Sequence, residues 1–221
     1  MKAKIKRSVN FLHVFLIIFF ICVISISCTK SEPRITYGIL NLVLYQGDPV
    51  PVEHFSFFIL AEDEDGIENL DALYLYHDRE QLSWRIKNGE WLHLALDGQD
   101  WIGTRSITSP EGILPRGVFR AVLVNKGGES TERNFTYDGA VRYPFPEFAV
   151  YNGEYIISSQ WPVNRLICYD SSGNQVSVIR LDSKTGSISD LRLPSSVRTA
   201  ALWAEDESNS CSAFTEVIPV N

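Results

Sequence analysis

From Arg34 onward the apolar residues come in short runs, alternating or continuous, and turn residues cut off each run. No stretch of ten or more residues carries a convincing 3.6-residue apolar period, so no helix has a stripe to bury. The pattern predicts an all-β chain. In the first half, strands are expected at Ile35–Tyr45, His54–Ala61, Leu70–His77, Gln81–Ile86, Trp91–Leu96, Trp101–Ile107, Gly117–Val124 and Glu132–Tyr137. In the second they are expected at Tyr155–Ser159, Arg165–Tyr169, Gln175–Leu181, Ser187–Leu193, Arg198–Ala204 and Ser212–Val217. Asn88-Gly89 is the strongest short hairpin signal, and Asn125–Gly128 closes a second hairpin. Strands repeating every 8–12 residues or so, with such turns, predict β-sandwiches.

The paired prolines Pro144 and Pro146 restrict their own backbone and the residue before each, which places a boundary at 141–147. Residues 34–140 and 148–221 are then two domains in tandem, with Tyr143 and Phe145 wedged between them. A slide of 79 residues carries Leu114-Pro115 onto Leu193-Pro194, Val118 onto Val197, Ala121 onto Ala200, Leu123 onto Leu202 and Phe135-Thr136 onto Phe214-Thr215. That internal match predicts two copies of one fold, with Val118, Leu123 and Phe135 on a core face.

Asp63-Glu64-Asp65-Gly66 precedes the strand Leu70–Tyr76. Leu114-Pro115-Arg116-Gly117-Val118-Phe119 precedes the glycine turn Asn125-Lys126-Gly127-Gly128. In these motifs the chain resembles bacterial immunoglobulin-like and fibronectin type III-like modules. The resemblance implies two tandem immunoglobulin-like β-sandwiches without the Cys–Trp–Cys core of antibody domains. Such modules serve as stalks, adhesins, assembly parts and enzyme accessories, so the fold does not choose a function.

Ahead of these strands lies a different kind of segment. Lys2, Lys4, Lys6 and Arg7 precede an apolar run from Phe11 to Ile24, which closes on Ser25-Ile26-Ser27-Cys28. The run is shorter than the roughly 20 residues a spanning helix needs. The layout resembles a bacterial lipoprotein signal, with Ser25 where leucine is usual, as in the looser pattern of spirochaetes. The resemblance implies cleavage after Ser27, a 1–27 signal peptide, acylation of Cys28 (palmitate or a related chain) and a polar tether over 28–33. Plain secretion with cleavage near Ser27, and an uncleaved tilted anchor, are the two other readings. The first implies lipid anchoring to a bacterial membrane, at the outer membrane or facing the periplasm.

Removing the first 27 of 221 residues takes away four of the 20 Lys and Arg and none of the 27 Asp and Glu. The remainder carries 16 basic against 27 acidic residues, a net charge of −11, which disfavours a nucleic-acid partner. Twelve Phe, nine Tyr and five Trp supply a packed core. Cys168 and Cys211 are an even pair in an exported chain and form either a disulfide or two buried thiols.

Reactive constellations are sparse. His54, His77 and His93 are far apart in sequence, and neither H-E-x-x-H, C-x-x-C nor G-x-S-x-G occurs. His77-Asp78 reads as a polar pair at a hairpin end. Asp63 and Asp65 are a weak calcium candidate, although Asp-x-Asp-Gly also makes a turn without metal. Trp84, Trp91 and Trp101 are the candidate ligand-binding aromatics, with core filling as the alternative. Asn134-Phe135-Thr136 matches a glycosylation sequon by chance. No cofactor is implied. The expectation is a non-catalytic, lipid-anchored envelope protein presenting β-sandwich modules to a protein partner; the alternative is a glycan or small-ligand binder that uses the first-half tryptophans.

Overall fold

The computed structural model describes residues 31–96 and 98–220. Cys28 and the expected signal segment 1–27 lie outside them. Among the described residues the fold is all-β, its only helices are short 3-10 turns, and none is long and apolar enough to cross a membrane.

The first half holds β1 (Arg34–Tyr45), β2 (Val52–Glu62), β3 (Leu70–His77), β4 (Leu82–Lys87), β5 (Leu92–Leu96), β6 (Gln99–Thr108), β7 (Gly117–Asn125) and β8 (Ser130–Tyr137). The second holds β9 (Glu147–Tyr151), β10 (Glu154–Ser158), β11 (Val163–Tyr169), β12 (Gln175–Arg180), β13 (Thr185–Ser187), β14 (Thr199–Asp206), β15 (Cys211–Phe214) and β16 (Ile218–Pro219). One long sheet runs β12-β11-β14-β15-β1-β2-β6-β5, with β16 against β14. Two smaller sheets run β4-β3-β7-β8 and β9-β10-β13.

The long sheet crosses from one half to the other through a parallel pairing of β1 with β15, from Leu42 opposite Cys211 to Tyr45 opposite Phe214. Side chains alternate along a strand, so the register fixes which face each one takes. Leu40, Leu42 and Leu44 of β1, with Cys211 and Ala213 of β15 and Ala204 of β14, join the core formed with Leu73, Leu75, Phe119 and Leu123 of the β3/β7 layer. On the same face of β14, Ala200 and Leu202 join the second core with Tyr155 and Ile157 of β10. Both smaller sheets therefore cover one face of the long sheet; among the described residues no second sheet covers its other face, where Phe58, Leu60 and Trp101 are buried together.

The junction is sealed by groups from both halves. Trp161, just before β11, is 4% exposed and belongs to the first core. Its indole N–H donates to the Pro144 carbonyl at 2.8 Å, and its ring lies 5.7 Å from Tyr143. Tyr143 and Phe145 both lie against the first core. Glu53 is buried and receives a bidentate pair from Arg116, at 2.8 and 2.9 Å, and the Leu114 N–H at 2.8 Å. Arg116 also donates to the Gly139 carbonyl and lies over the Tyr137 ring, while the Tyr137 hydroxyl donates to the Asn209 carbonyl of the second half. Every strong donor and acceptor in this partly buried cluster has a partner, so the ion pair costs little to keep and much to break.

Three strand expectations need correction. Asn88-Gly89 does not close a hairpin: β4 pairs with β3 and β5 with β6, in different sheets. The Asn88 amide N–H bonds the Asp71 carbonyl and its side chain bonds the Leu70 carbonyl, both at 2.7 Å, which ties the turn back to β3. Trp91 then drops into the core and carries the chain across to the other layer. The true Asn-Gly hairpin is Asn152-Gly153, between β9 and β10, where both residues take positive φ, at 51° and 78°. Its first strand, β9, was not expected. Ser187–Leu193 is largely not a strand: Ile188–Leu191 is a 3-10 turn capped by the Ser187 hydroxyl and ended by left-handed Arg192.

The internal slide holds in one strand and slips in the next. Ala121 and Ala200, and Leu123 and Leu202, are all fully buried on β7 and β14. Phe135 pairs with Phe119, however, whereas Phe214 pairs with Trp203 and the same slide would carry Phe119 to Arg198. Val118 is 55% exposed and not on the core face, because it alternates out of phase with Phe119, Ala121 and Leu123.

Trp161→Ala should cost about 3–5 kcal/mol. Because Trp161 fills the first core from the second half, calorimetry of the variant should show two separated unfolding transitions where the parent shows one.

Candidate functional site

The open face of the long sheet is the candidate site. Its floor is a row of rings laid across four strands: Trp203 on β14, Phe214 on β15, Tyr45 on β1 and His54 on β2. The Trp203 and Phe214 rings are 6.0 Å apart, Phe214 and Tyr45 5.9 Å, and Tyr45 and His54 4.6 Å. The row follows from register. Trp203 is directly opposite Phe214, and Phe214 directly opposite Tyr45. Cross-strand aromatic pairs of this kind stabilise a sheet; these rings remain half-buried, and each is tilted against the next by 52 to 66°.

Trp203, Phe214 and Tyr45, with His54 just outside, line a concavity of about 620 Å³. On a flat sheet β6 and β11 would stand about 24 Å apart, five strand spacings. Arg105 on β6 and Tyr169 on β11 nevertheless line the same concavity, so the sheet curls. Burial pushes the Tyr45 and Tyr169 phenols up, against the pull of Arg105. Burial pushes His54 below its ordinary value, outweighing a backbone hydrogen bond at Arg105, which leaves the ring neutral near pH 7. Arg165 pairs with Glu205 and with Glu207 at one end of the groove.

The tryptophans expected to bind ligand are elsewhere. Trp91 is 7% exposed in the first core. Trp101 is equally buried, against Phe58 and Leu60. Trp84 packs beside the first core and donates its indole N–H to the Thr108 carbonyl at 2.7 Å. Burial takes Trp91 and Trp101 out of use as a surface platform, and half-buried Trp84 is committed to the first core and to Thr108. Alternation carries a signal for the groove aromatics: in TAALWAED, Trp203 is out of phase with core-facing Ala200, Leu202 and Ala204.

Of the two readings open for Cys168 and Cys211, the structure has the free buried thiols. Cys168 is opposite Ala200 and Cys211 opposite Asp206, six positions apart on β14, or about 20 Å at roughly 3.3 Å per residue. A disulfide needs its Cα atoms within about 7 Å. Each thiol belongs to a different core.

Asp63 and Asp65 form a turn. One Asp63 oxygen accepts from the Asp65 N–H at 2.9 Å and Asn69 Nδ2 at 3.1 Å, and the other from Asn125 Nδ2 at 3.3 Å. Its lone pairs are directed at N–H donors, the metal-free use of Asp-x-Asp-Gly. No cluster of three or more His, Cys, Asp or Glu side chains suited to a metal occurs among the described residues. Burial raises the Asp63 carboxyl, but the three hydrogen bonds outweigh it and hold the group below its ordinary value.

The histidines stay apart. His77 is 1% exposed: its Nδ1 accepts from the Glu80 N–H, so its Nε2 carries the proton and donates to the Arg116 carbonyl. His93 contacts Asp100 across the exposed β5–β6 hairpin.

No protein-family model and no curated protein matches the chain. Among solved structures, Tp47, the 47-kilodalton lipoprotein of Treponema pallidum, is similar over 86% of this chain and 52% of its own, at 12% identity and a TM-score of 0.45. Dimeric latent PorU from Porphyromonas gingivalis is similar over 86% of this chain and 20% of its own, at 12% identity and a TM-score of 0.33. The chain thus spans about half of the first and a fifth of the second. Likenesses this distant carry no argument about activity.

Two outcomes follow from these environments. Burial pushes the Cys211 thiol up to about 11 and raises Cys168 as well. A thiol reagent at pH 8 should modify neither in the native protein and both in guanidinium, and dithiothreitol should leave Tm unchanged. Asp63→Ala should cost about 1 kcal/mol at pH 7. A depressed folded pKa gives stability above the ordinary 3.8 that is lost as pH falls below it, so the gap between parent and variant should close in urea titrations run at progressively lower pH.

Proposed function

We propose that the chain is an exported, non-catalytic binding protein of the bacterial envelope, anchored by an acyl chain on Cys28. Its working surface is the open face of the long sheet. The observation that carries this reading is the aromatic row from Trp203 to His54 on a face that no second sheet among the described residues covers. Core-forming sheets bury such rings; here they stay half-buried beside a concavity of ligand size.

The platform is two immunoglobulin-like modules, residues 34–140 and 148–221, with 141–147 between them. The strand orders support it: β1-β2-β6-β5 faces β4-β3-β7-β8, and β9-β10-β13 faces β12-β11-β14-β15. The non-catalytic reading rests on how the reactive groups are used. Glu53 is committed to Arg116, His77 has both ring nitrogens engaged, and the remaining histidines are not brought together with a nucleophile. Anchoring rests on the basic, apolar and Ser27-Cys28 segments of the leader. A protein or a smaller ligand could occupy the face, and the groove favours the latter.

Cells fed an alkyne fatty acid should label the parent chain and not Cys28→Ala, and the variant should leave the membrane fraction. Labelling that survives in Cys28→Ala would remove the anchor from the reading.

A further inference from the structure

The groove carries enough chemistry to name a class of ligand, given the reading that the open face is the working surface. Its floor is the interior of a sheet, where β14, β15, β1 and β2 have bonded their backbone groups to one another. A peptide laid there would find no strand edge to pair with and would leave its own N–H and C=O groups short of partners. A lipid chain would meet too many polar groups. A sugar needs what the groove supplies: ring faces for its C–H surfaces and side-chain donors and acceptors for its hydroxyls. Asn41, Ser56 and Gln175 line the groove beside the rings.

Charge narrows the class. Arg165 is taken up by Glu205 and Glu207, which leaves that end of the groove net negative, and Asp206 is turned toward Ser208 and Asn209. Arg105 also lines the groove, and among the described residues its guanidinium has no carboxylate partner. It stands near the Tyr45 and Tyr169 phenols, where a planar guanidinium can take a carboxylate in a bidentate pair. The acidity of the rest of the chain is screened over about 8 Å at physiological salt, and within the groove the free positive charge among the described residues is Arg105, with Glu205 and Glu207 held by Arg165. Long polyanions would still be repelled at a distance.

We propose that the open face binds a short acidic saccharide, with its C–H surfaces packed against Trp203, Phe214 and Tyr45 and its carboxylate paired with Arg105.

The test presents the purified full chain in detergent to an array of uronic acid- and sialic acid-containing oligosaccharides, their neutral counterparts and a set of acidic peptides. The strongest binder is then titrated calorimetrically. Acidic saccharides should be retained and neutral counterparts should bind at least tenfold more weakly. Arg105→Ala should lose tenfold or more for the acidic binder while keeping the parent Tm, Arg105→Lys should recover part of the loss, and Trp203→Ala should abolish binding of every sugar. If no acidic saccharide is preferred over its neutral counterpart, or Arg105→Ala binds as the parent does, the proposal is overturned. Retention of acidic peptides alone, lost in Trp203→Ala, would overturn the saccharide and leave the open face as a binding surface. If no probe binds and Trp203→Ala changes nothing, both readings fall.

Discussion

Four residues of parallel pairing, Leu42–Tyr45 against Cys211–Phe214, tie the two halves into one sheet, and the rest of the molecule is arranged around that seam. Because Leu42 is opposite Cys211 and Leu44 opposite Ala213, the core-facing sides of both strands coincide. The two smaller sheets must then share one face. A slip of one residue would send Phe214 and Trp203 toward the core and Ala213 and Ala204 to solvent. Such a slip is disfavoured because Ala204 and Ala213 are the size the crowded junction accepts, while the rings have room only on the other side.

The seam is short, and other groups hold it in place. Trp161 inserts from the second half into the first core, and the Glu53–Arg116 pair and Tyr137 fasten the 114–139 region to the 209 turn. These contacts mix apolar burial with satisfied polar groups, which specifies one arrangement of the halves rather than a hinge. A rigid junction matters for the open face, since the aromatic row spans both halves. Trp203 and Phe214 come from one side of the seam, Tyr45 and His54 from the other.

Much of the fold was legible because strand periodicity is local. Leu70–His77 was read to the residue, and most other strands to within two or three positions. Errors arose where a turn's use depends on distant partners. Asn88-Gly89 looks like a hairpin, but Asn88 is captured by β3 carbonyls; Asn152-Gly153, which does close one, follows a strand hidden behind the paired prolines. The site was less legible. Trp84, Trp91 and Trp101 drew attention by clustering in sequence, yet strand alternation and inter-layer packing bury or occupy them. The rings that do meet lie at 45, 54, 203 and 214, far apart along the chain, and nothing local announces that they share a face.

By itself the sequence determined that this chain is all-β and where most of its strands lie, because each strand depends on residues within a dozen positions of one another. The tertiary structure alone decided that the halves merge into one sheet, that Cys168 and Cys211 stay apart, and that no second sheet among the described residues covers one broad face. Those outcomes depend on the register of a parallel pairing between residues about 170 positions apart, and parallel partners so remote leave no periodic trace in the strands they join.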